Sequence, residues 1–354
     1  MPAGLRAAAG TPVCTVDDKR LPEVSGLAAT DDGYVVVNDS SDVDNRRRIF
    51  FLDRDCAVDR TVRYPSRPRD TEDLTRAPDG TIWIGDIGDN DRVRETVALW
   101  KLAPGADSPV LHRVSYPDGA HDAEALLLAA DGTPIIVTKD PGTPGLYIPS
   151  RALRTGQTTP LRKVGQFSLP RSTTSNPFSI FGRQLVTGGA VAPDGSRVVL
   201  RTYADALEFD VSGGDVVRAI TEGTPRTVPL PDEPQGESIA YSPDGRTLLT
   251  LSEKGTGTRP PIRCCCAIRR RTSRGRSPPP PRAPFLAPSR AARRSTGNGR
   301  RSRAGRSAAT SSVRWRGSCW PSWRSPDSPS GEPAAASPAE FDSQHARERA
   351  AGPR

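Results

Sequence analysis

Histidine is scarce, with three in 354 residues: His112, His121 and His345. No Gly-x-Ser-x-Gly elbow occurs, which excludes the commonest serine-hydrolase arrangement. The first 258 residues hold two cysteines, Cys14 and Cys56, and no Cys-x-x-Cys pair, which excludes a zinc ribbon or a thioredoxin-type redox motif there. No apolar run reaches the roughly 20 residues of a membrane span, so a transmembrane bundle is excluded. Neither a heptad pattern nor a dense cysteine framework is present, which excludes a coiled coil and a disulfide miniprotein. Hydrophobic residues make up 35% and aromatic residues 5%, with 36 Pro and 32 Gly, lean for a well-packed globule of this length.

The average conceals a break. Residues 259–354 contain 21 Arg, no Lys, 14 Pro and four Val, Ile or Leu, and carry +16. Residues 1–258 carry −7, so the basic balance belongs to the tail. Four aliphatic residues do not bury enough area to offset chain entropy, and a disordered Arg/Pro-rich tail is expected. As a genuine segment it would be a basic arm for anionic polymers, with Arg269, Arg293 and Arg300 on phosphates. The genetic code points instead to a frame change near Thr258. Starting codons at the third base turns Cys264-Cys265-Cys266 into leucine-rich strand and Arg314–Ser325 into an apolar run of membrane-helix character, predicting an anchor only in that frame. A metal cluster of Cys264, Cys265, Cys266 and Cys319 is expected only if the printed frame is real. Residues 1–12 read as the remnant of a signal peptide or a flexible N-terminus.

Residues 13–258 repeat. Asp-Gly turns stand at Asp32-Gly33, Asp79-Gly80, Asp131-Gly132, Asp194-Gly195 and Asp244-Gly245, spaced by 47, 52, 63 and 50 residues. Asp-Gly supplies the positive φ of tight hairpins. A β-rich run follows each turn: Tyr34 to Val37, Thr81 to Ile84, Pro134 to Val137, Arg197 to Leu200 and Thr247 to Leu251. Third runs follow at 49–52, 97–102, 146–148 and 206–209. Polar fourth runs follow at 58–64, 110–116, 161–169 and 216–220, which places His112 on an outer strand. Four strands per unit without helical periodicity predict an all-β fold: a β-propeller of five recognisable four-stranded blades, or of six with the end cut short. Blade five is expected to stop after two strands. A β-sandwich is the alternative. The Pro-Asp-Gly repeats resemble those of bacterial secreted β-propellers with WD40- or YVTN-like repeats, over about residues 12–258.

A second repeat overlies the first: Tyr64-Pro65-x4-Asp70-x-Glu72 matches Tyr116-Pro117-x4-Asp122-x-Glu124. Pro22-Glu23-Val24-Ser25 and Gln235-Gly236-Glu237-Ser238 occupy the corresponding places in blades one and five, while Thr187-Gly188-Gly189 replaces the carboxylate in blade four. Inner strands line a propeller channel, so Glu23, Glu72, Glu124 and Glu237 are expected around its mouth. Asp39, Asp86, Lys139, Asp140, Arg201, Tyr203, Glu253 and Lys254 should stand beside them. Converging carboxylates repel unless a cation neutralises them, and oxygen-only ligands suit calcium or magnesium. The expected metal ligands are Glu23, Glu72, Glu124, Glu237, Asp39, Asp86, Asp89 and Asn90, with calcium as the cofactor; a structural role as strand caps is the alternative. His121 beside Asp122 reads as a polar loop residue or an acid/base pair.

The expected function is an extracytoplasmic binding or scaffold module, secreted or anchored at the cell surface, taking a protein or small-molecule ligand at the acidic mouth. A metal-dependent phosphoesterase or lactonase is the enzymatic alternative. No nucleic acid is expected on the propeller. Cys14 and Cys56 are expected to form one bridge.

Overall fold

The computed structural model describes residues 10–252 and the backbone of the strand Cys264–Arg269. Strand β1 (Thr11–Thr15) opens the chain. Blade one is β2 (Val24–Ala29), β3 (Gly33–Asn38), β4 (Arg48–Asp53) and β5 (Val58–Arg63). Blade two is β6 (Thr71–Arg76), β7 (Ile82–Asp86), β8 (Val97–Leu102) and β9 (Val110–Ser115). Blade three is β10 (Ala123–Leu128), β11 (Pro134–Thr138), β12 (Gly145–Pro149) and β13 (Thr158–Gln166). Blade four is β14 (Val186–Val191), β15 (Arg197–Thr202), β16 (Asp205–Asp210) and, after helix α1 (Val216–Glu222), β17 (Arg226–Pro229). Blade five is β18 (Gly236–Tyr241), β19 (Thr247–Ser252) and β20 (Cys264–Arg269), with β1 as its outermost strand. Within each blade the strands pair antiparallel in order, and the outer strands β9 and β13 also pair, in parallel, between blades two and three.

The inner strands form a closed ring, β2 beside β6, then β10, β14 and β18, which returns to β2. The fold is therefore a β-propeller of five blades. Five apolar clusters fill the five interfaces. Val35, Ile49, Ile84 and Trp100 lie between blades one and two, and Leu27, Phe50, Leu249 and Leu251 between blades five and one. Both faces of a blade are covered, so its middle strands are nearly continuous apolar runs. Each fully buried side chain such as Phe50 contributes about 1.5–3 kcal/mol. In four of the hairpins the turn glycine, Gly80, Gly132, Gly195 or Gly245, has φ between 66° and 86°. The preceding aspartate accepts the N–H two residues on: Asp79 from Thr81, Asp131 from Thr133, Asp194 from Ser196 and Asp244 from Arg246.

Two expectations are corrected. Blade five does not stop after two strands at residue 258. Printed residues Cys264–Arg269 form its third strand, and β1, including Thr11 and Pro12 of the supposed leader remnant, supplies the fourth. No unpaired edge is left on β19, and the ring needs no sixth blade. Residues 216–220, expected as a strand, are helical. Asp215 caps the helix by accepting from the Arg218 N–H, and Val216, Ala219 and Ile220 share one buried face at i, i+3 and i+4. The fourth strand of that blade follows at β17.

Cys14 on β1 is bonded to Cys56 in the turn between β4 and β5, with a Cα–Cα distance of 5.8 Å. The bridge therefore joins the outer strand of blade five to blade one, across the seam where the ring closes. Of the expected basic arm only Arg269 is described, as the last residue of β20 opposite Thr247; the rest of the arm, the altered frame, the membrane helix and Cys319 lie outside the described residues, as do Glu253 and Lys254. Among the described residues no helix is long and apolar enough to cross a membrane.

Candidate functional site

Every inner strand carries a β-bulge near its start. The register slips between Val24 and Gly26, Thr71 and Asp73, Ala123 and Ala125, Val186 and Gly188, and Gly236 and Ser238. The extra residues are Ser25, Glu72, Glu124, Thr187 and Glu237. A bulge re-aims the side chain it inserts. Two of the five are hydroxyls that tie neighbouring blades together: Ser25 Oγ donates to the Thr71 carbonyl (2.8 Å) and Thr187 Oγ1 to the Gly236 carbonyl (3.2 Å). The other three are carboxylates. The structural equivalent of Glu72 in blade one is thus Ser25 and not Glu23, which instead matches Asp70 and Asp122, two residues earlier.

The carboxylates converge on two overlapping groups. Asp39, Asp70 and Glu72 form one, and Glu72, Asp122 and Glu124 the other; within each, one oxygen per residue lies within 4.8 Å of the others. Gly88 packs so closely here that a Cβ would lie 2.0 Å from Glu72 Oε1. Burial raises the pKa of Glu72, and the charges of Glu124, Asp39, Asp70 and Glu237 raise it further. Burial and the charge of Asp39 push Asp70 up to about 7. Burial also raises Glu124, against the ammonium of Lys139, which is hydrogen-bonded to it. Glu237 is 4% exposed. Its Oε1 accepts from Tyr203 Oη (3.3 Å) and Gln235 Nε2 (3.2 Å), while its buried Oε2 has no partner.

A pH dependence follows. Asp70 has a folded pKa of about 7 against an unfolded value near 3.9, so the native state binds more protons between them. Its contribution is complete below about pH 4 and is lost as pH rises through 7. His112, lowered by burial, acts in the opposite sense, so Asp70→Asn is the reference at each pH. In chelator, wild-type melting temperature should fall relative to Asp70→Asn between pH 5 and pH 8. A parallel pair of curves would contradict this.

The other expected residues fall elsewhere. Asp86 accepts from the Arg69 and Asp70 N–H groups, from Arg94 (2.8 Å) and from Trp100 Nε1, and lies outside both groups. Asp89 holds the following turn by accepting from the Val93 and Arg94 N–H groups. Asn90 is exposed beside the mouth. Glu23 is half-buried; its carbonyl accepts the Asp39 N–H (2.8 Å), and its side chain acts on Asp39 through its charge. Arg201 is a buried strut to Glu233 (3.0 Å) and the Ser238 carbonyl (2.8 Å). In the Asp39–Asn45 loop, Asp42 pairs with Arg67 and Asp44 with Arg48 and Arg63, so only Asp39 joins the carboxylates. The His121 ring nitrogens face Asp118 (3.1 Å) and Asp140 (3.4 Å), with Tyr147 Oη also 3.1 Å away.

Asp73 was not singled out by the repeat, because its counterpart in blade three is Ala125. It is fully buried at the next level down the channel. Its carboxyl accepts N–H groups from three blades: Leu74 (2.8 Å), Leu126 (2.9 Å) and Gly189 (3.3 Å). Burial raises its pKa against these donors. Asp73→Ala orphans all three, and each buried unsatisfied group costs about 1–3 kcal/mol. A loss of at least ~3 kcal/mol in denaturant unfolding is expected; a change under 1 kcal/mol would show that the ring does not depend on this contact.

Above the carboxylates a cavity of about 370 Å³ is bounded by Asn90, Arg92, Asp122, Lys139, Pro141, Leu185, Tyr203, Phe178 and Phe181. The last two belong to the 167–185 connection between β13 and β14. Phe178 packs on Tyr203 with centroids 4.4 Å apart. The 63-residue spacing between Gly132 and Gly195 was the sequence signal of this insertion.

No protein-family model matches the chain, and no curated protein matches it. Solved structures to which it is similar include virginiamycin B lyase from Staphylococcus aureus, with 9% identity, a TM-score of 0.34, and coverage of 67% of this chain and 69% of that one. Another is XC5397, a gluconolactonase from Xanthomonas campestris, with 15% identity, a TM-score of 0.38, and coverage of 74% and 96%. A third is the PQQ-bound aldose sugar dehydrogenase of Streptomyces coelicolor, with 11% identity, a TM-score of 0.38, and coverage of 74% and 97%. Likeness at this level carries no argument about activity, and the propeller assignment rests on the strand pairing.

Proposed function

We propose that the protein is an extracytoplasmic binding module whose channel mouth holds a divalent cation, calcium by preference, as part of its ligand site. The observation that carries this reading is the pair of carboxylate groups sharing Glu72, with the partnerless buried Oε2 of Glu237 beside them. The donor set is all oxygen, which suits calcium or magnesium over zinc or copper. Glu72, Asp70, Asp39, Asp122 and Glu124 would hold the ion; Lys139 is hydrogen-bonded to Glu124, and its charge also reaches Glu72. The Cys14–Cys56 bridge supports an oxidising, extracytoplasmic setting.

The test is calorimetric titration of chelator-treated protein with calcium and with magnesium. Saturable calcium binding with a Kd of roughly 10⁻⁵–10⁻³ M is expected. No binding heat from either ion, together with an unchanged melting temperature, would return the carboxylates to a structural role. The cavity open above the carboxylates also supports a second reading, a cation-dependent phosphoesterase or lactonase. Calcium-dependent turnover of p-nitrophenyl phosphate or a γ-lactone would favour it over a pure binding role.

A further inference from the structure

The exposed large apolar side chains of the described residues are scattered singly except at one place. Phe178, Ile180 and Phe181, at 38%, 63% and 71% exposure, stand together on the 167–185 connection. Connections longer than about 12–15 residues are uncommon in compact domains and are usually functional; the 167–185 connection has only the short 3-10 helix Phe181–Arg183 of its own. This one holds Phe178 and Phe181 as one wall of the cavity, continued by Leu185. The facing wall carries two cations. The Arg92 guanidinium is half-exposed and gives one nitrogen to Asp140 (2.9 Å), leaving other donors of its fork toward the cavity. The Lys139 ammonium has three donors, of which Glu124 takes one. A chamber of about 370 Å³ falls in the range of small-molecule sites, which combine an apolar wall with a few convergent polar groups.

We infer that this chamber binds a small organic acid with a flat apolar ring. The ring lies against Phe178, Phe181 and Leu185, and the carboxylate meets Arg92 and Lys139. Aromatic walls beside carboxylates also suit an organic cation, but the chamber is lined by two basic side chains against one acid, Asp122, which already accepts the Asp89 N–H (2.8 Å), so the anion is favoured. The inference extends the cation reading to the ligand of the same mouth, and a measurement made in chelator separates the two.

The probe is 2-naphthoate, titrated by calorimetry into the full-length protein in EDTA, with naphthyltrimethylammonium as the charge-reversed control. Saturable naphthoate binding is expected, weaker by at least fivefold in Phe181→Ala and in Arg92→Gln. Both positions are exposed enough that the fold should be retained, which unchanged melting temperatures would verify. Absence of saturable binding at millimolar naphthoate overturns the inference. So does tighter binding of the ammonium probe, or naphthoate binding that neither variant changes. Naphthoate binding sensitive to both variants in a protein that shows no calcium response would support this inference and overturn the cation reading.

Discussion

Calcium at a hundredfold excess over its Kd is expected to stabilise the chelator-treated protein by about 2.7 kcal/mol, the mass-action value for one site. For a domain of this size that raises the melting temperature by roughly 5–10 °C. Glu72→Gln should abolish the response. Glu72 belongs to both carboxylate groups, so its loss leaves each with two members. The substitution keeps the shape of the side chain and removes a buried ionisable group whose charged form is disfavoured first by burial and then by the charges of Glu124, Asp39, Asp70 and Glu237. The expected signature is therefore double: in chelator Glu72→Gln melts at or above the wild type, and calcium no longer shifts it. A purely structural glutamate would show neither. Glu237→Gln, next to the groups but outside them, should weaken calcium less. If Glu72→Gln retains the full calcium shift, the ion binds elsewhere.

The second large effect concerns closure. The bridge spans 42 residues of chain, and in the loop-entropy account a cross-link of that length stabilises by about 4 kcal/mol. Its position sharpens the expectation. It fastens β1, the outer strand of blade five, to blade one, so it acts where the two ends of the ring meet. Cys56→Ser should lower the melting temperature by roughly 10 °C. Amide exchange should accelerate first in Thr11–Thr15 and Cys264–Arg269, before the strands of blades two and three. β1 and β20 lie at the seam, whereas blades two and three are also joined through β9 and β13. Uniform acceleration across all blades would mean that the seam does not open independently. An unchanged melting temperature would mean that strand pairing alone holds it.

Much of the fold was legible because its signals are local. An Asp-Gly turn needs positive φ and an aspartate that accepts two residues on, and both are written in adjacent letters. Strands covered on both faces read as unbroken apolar runs, and their recurrence at about 50 residues announces blades. The match between Asp70-x-Glu72 and Asp122-x-Glu124 announced carboxylates at one end of the channel. The helix at Val216–Glu222 was missed because seven residues rich in β-branched side chains look strand-like. Its Asp215 cap and the burial of one face against blades three and four decided otherwise.

The rest belonged to tertiary structure. Glu23 looks like Glu72 in sequence, yet the bulge puts Ser25 in that place, because register is set by cross-strand pairing and not by letter matching. Asp73 has no repeat partner, so only the meeting of three blades at the channel reveals it. Asp86 and Asp89 carry the same chemistry as Asp70 and Asp122. Backbone N–H groups claim them, those of Arg69 and Asp70 for Asp86 and those of Val93 and Arg94 for Asp89, with the Arg94 and Trp100 side chains adding to Asp86. Asp122 accepts the Asp89 N–H and still reaches Glu72, so only folded geometry shows which carboxylates gather. Blades and turns were legible because each depends on neighbours along the chain, the acidic end because its motif recurs in two blades, and the cysteine pair because the first 258 residues hold only those two. Closure through β1 and β20, the five-bladed ring and the gathering of carboxylates around Glu72 were decided by contacts between residues far apart in sequence.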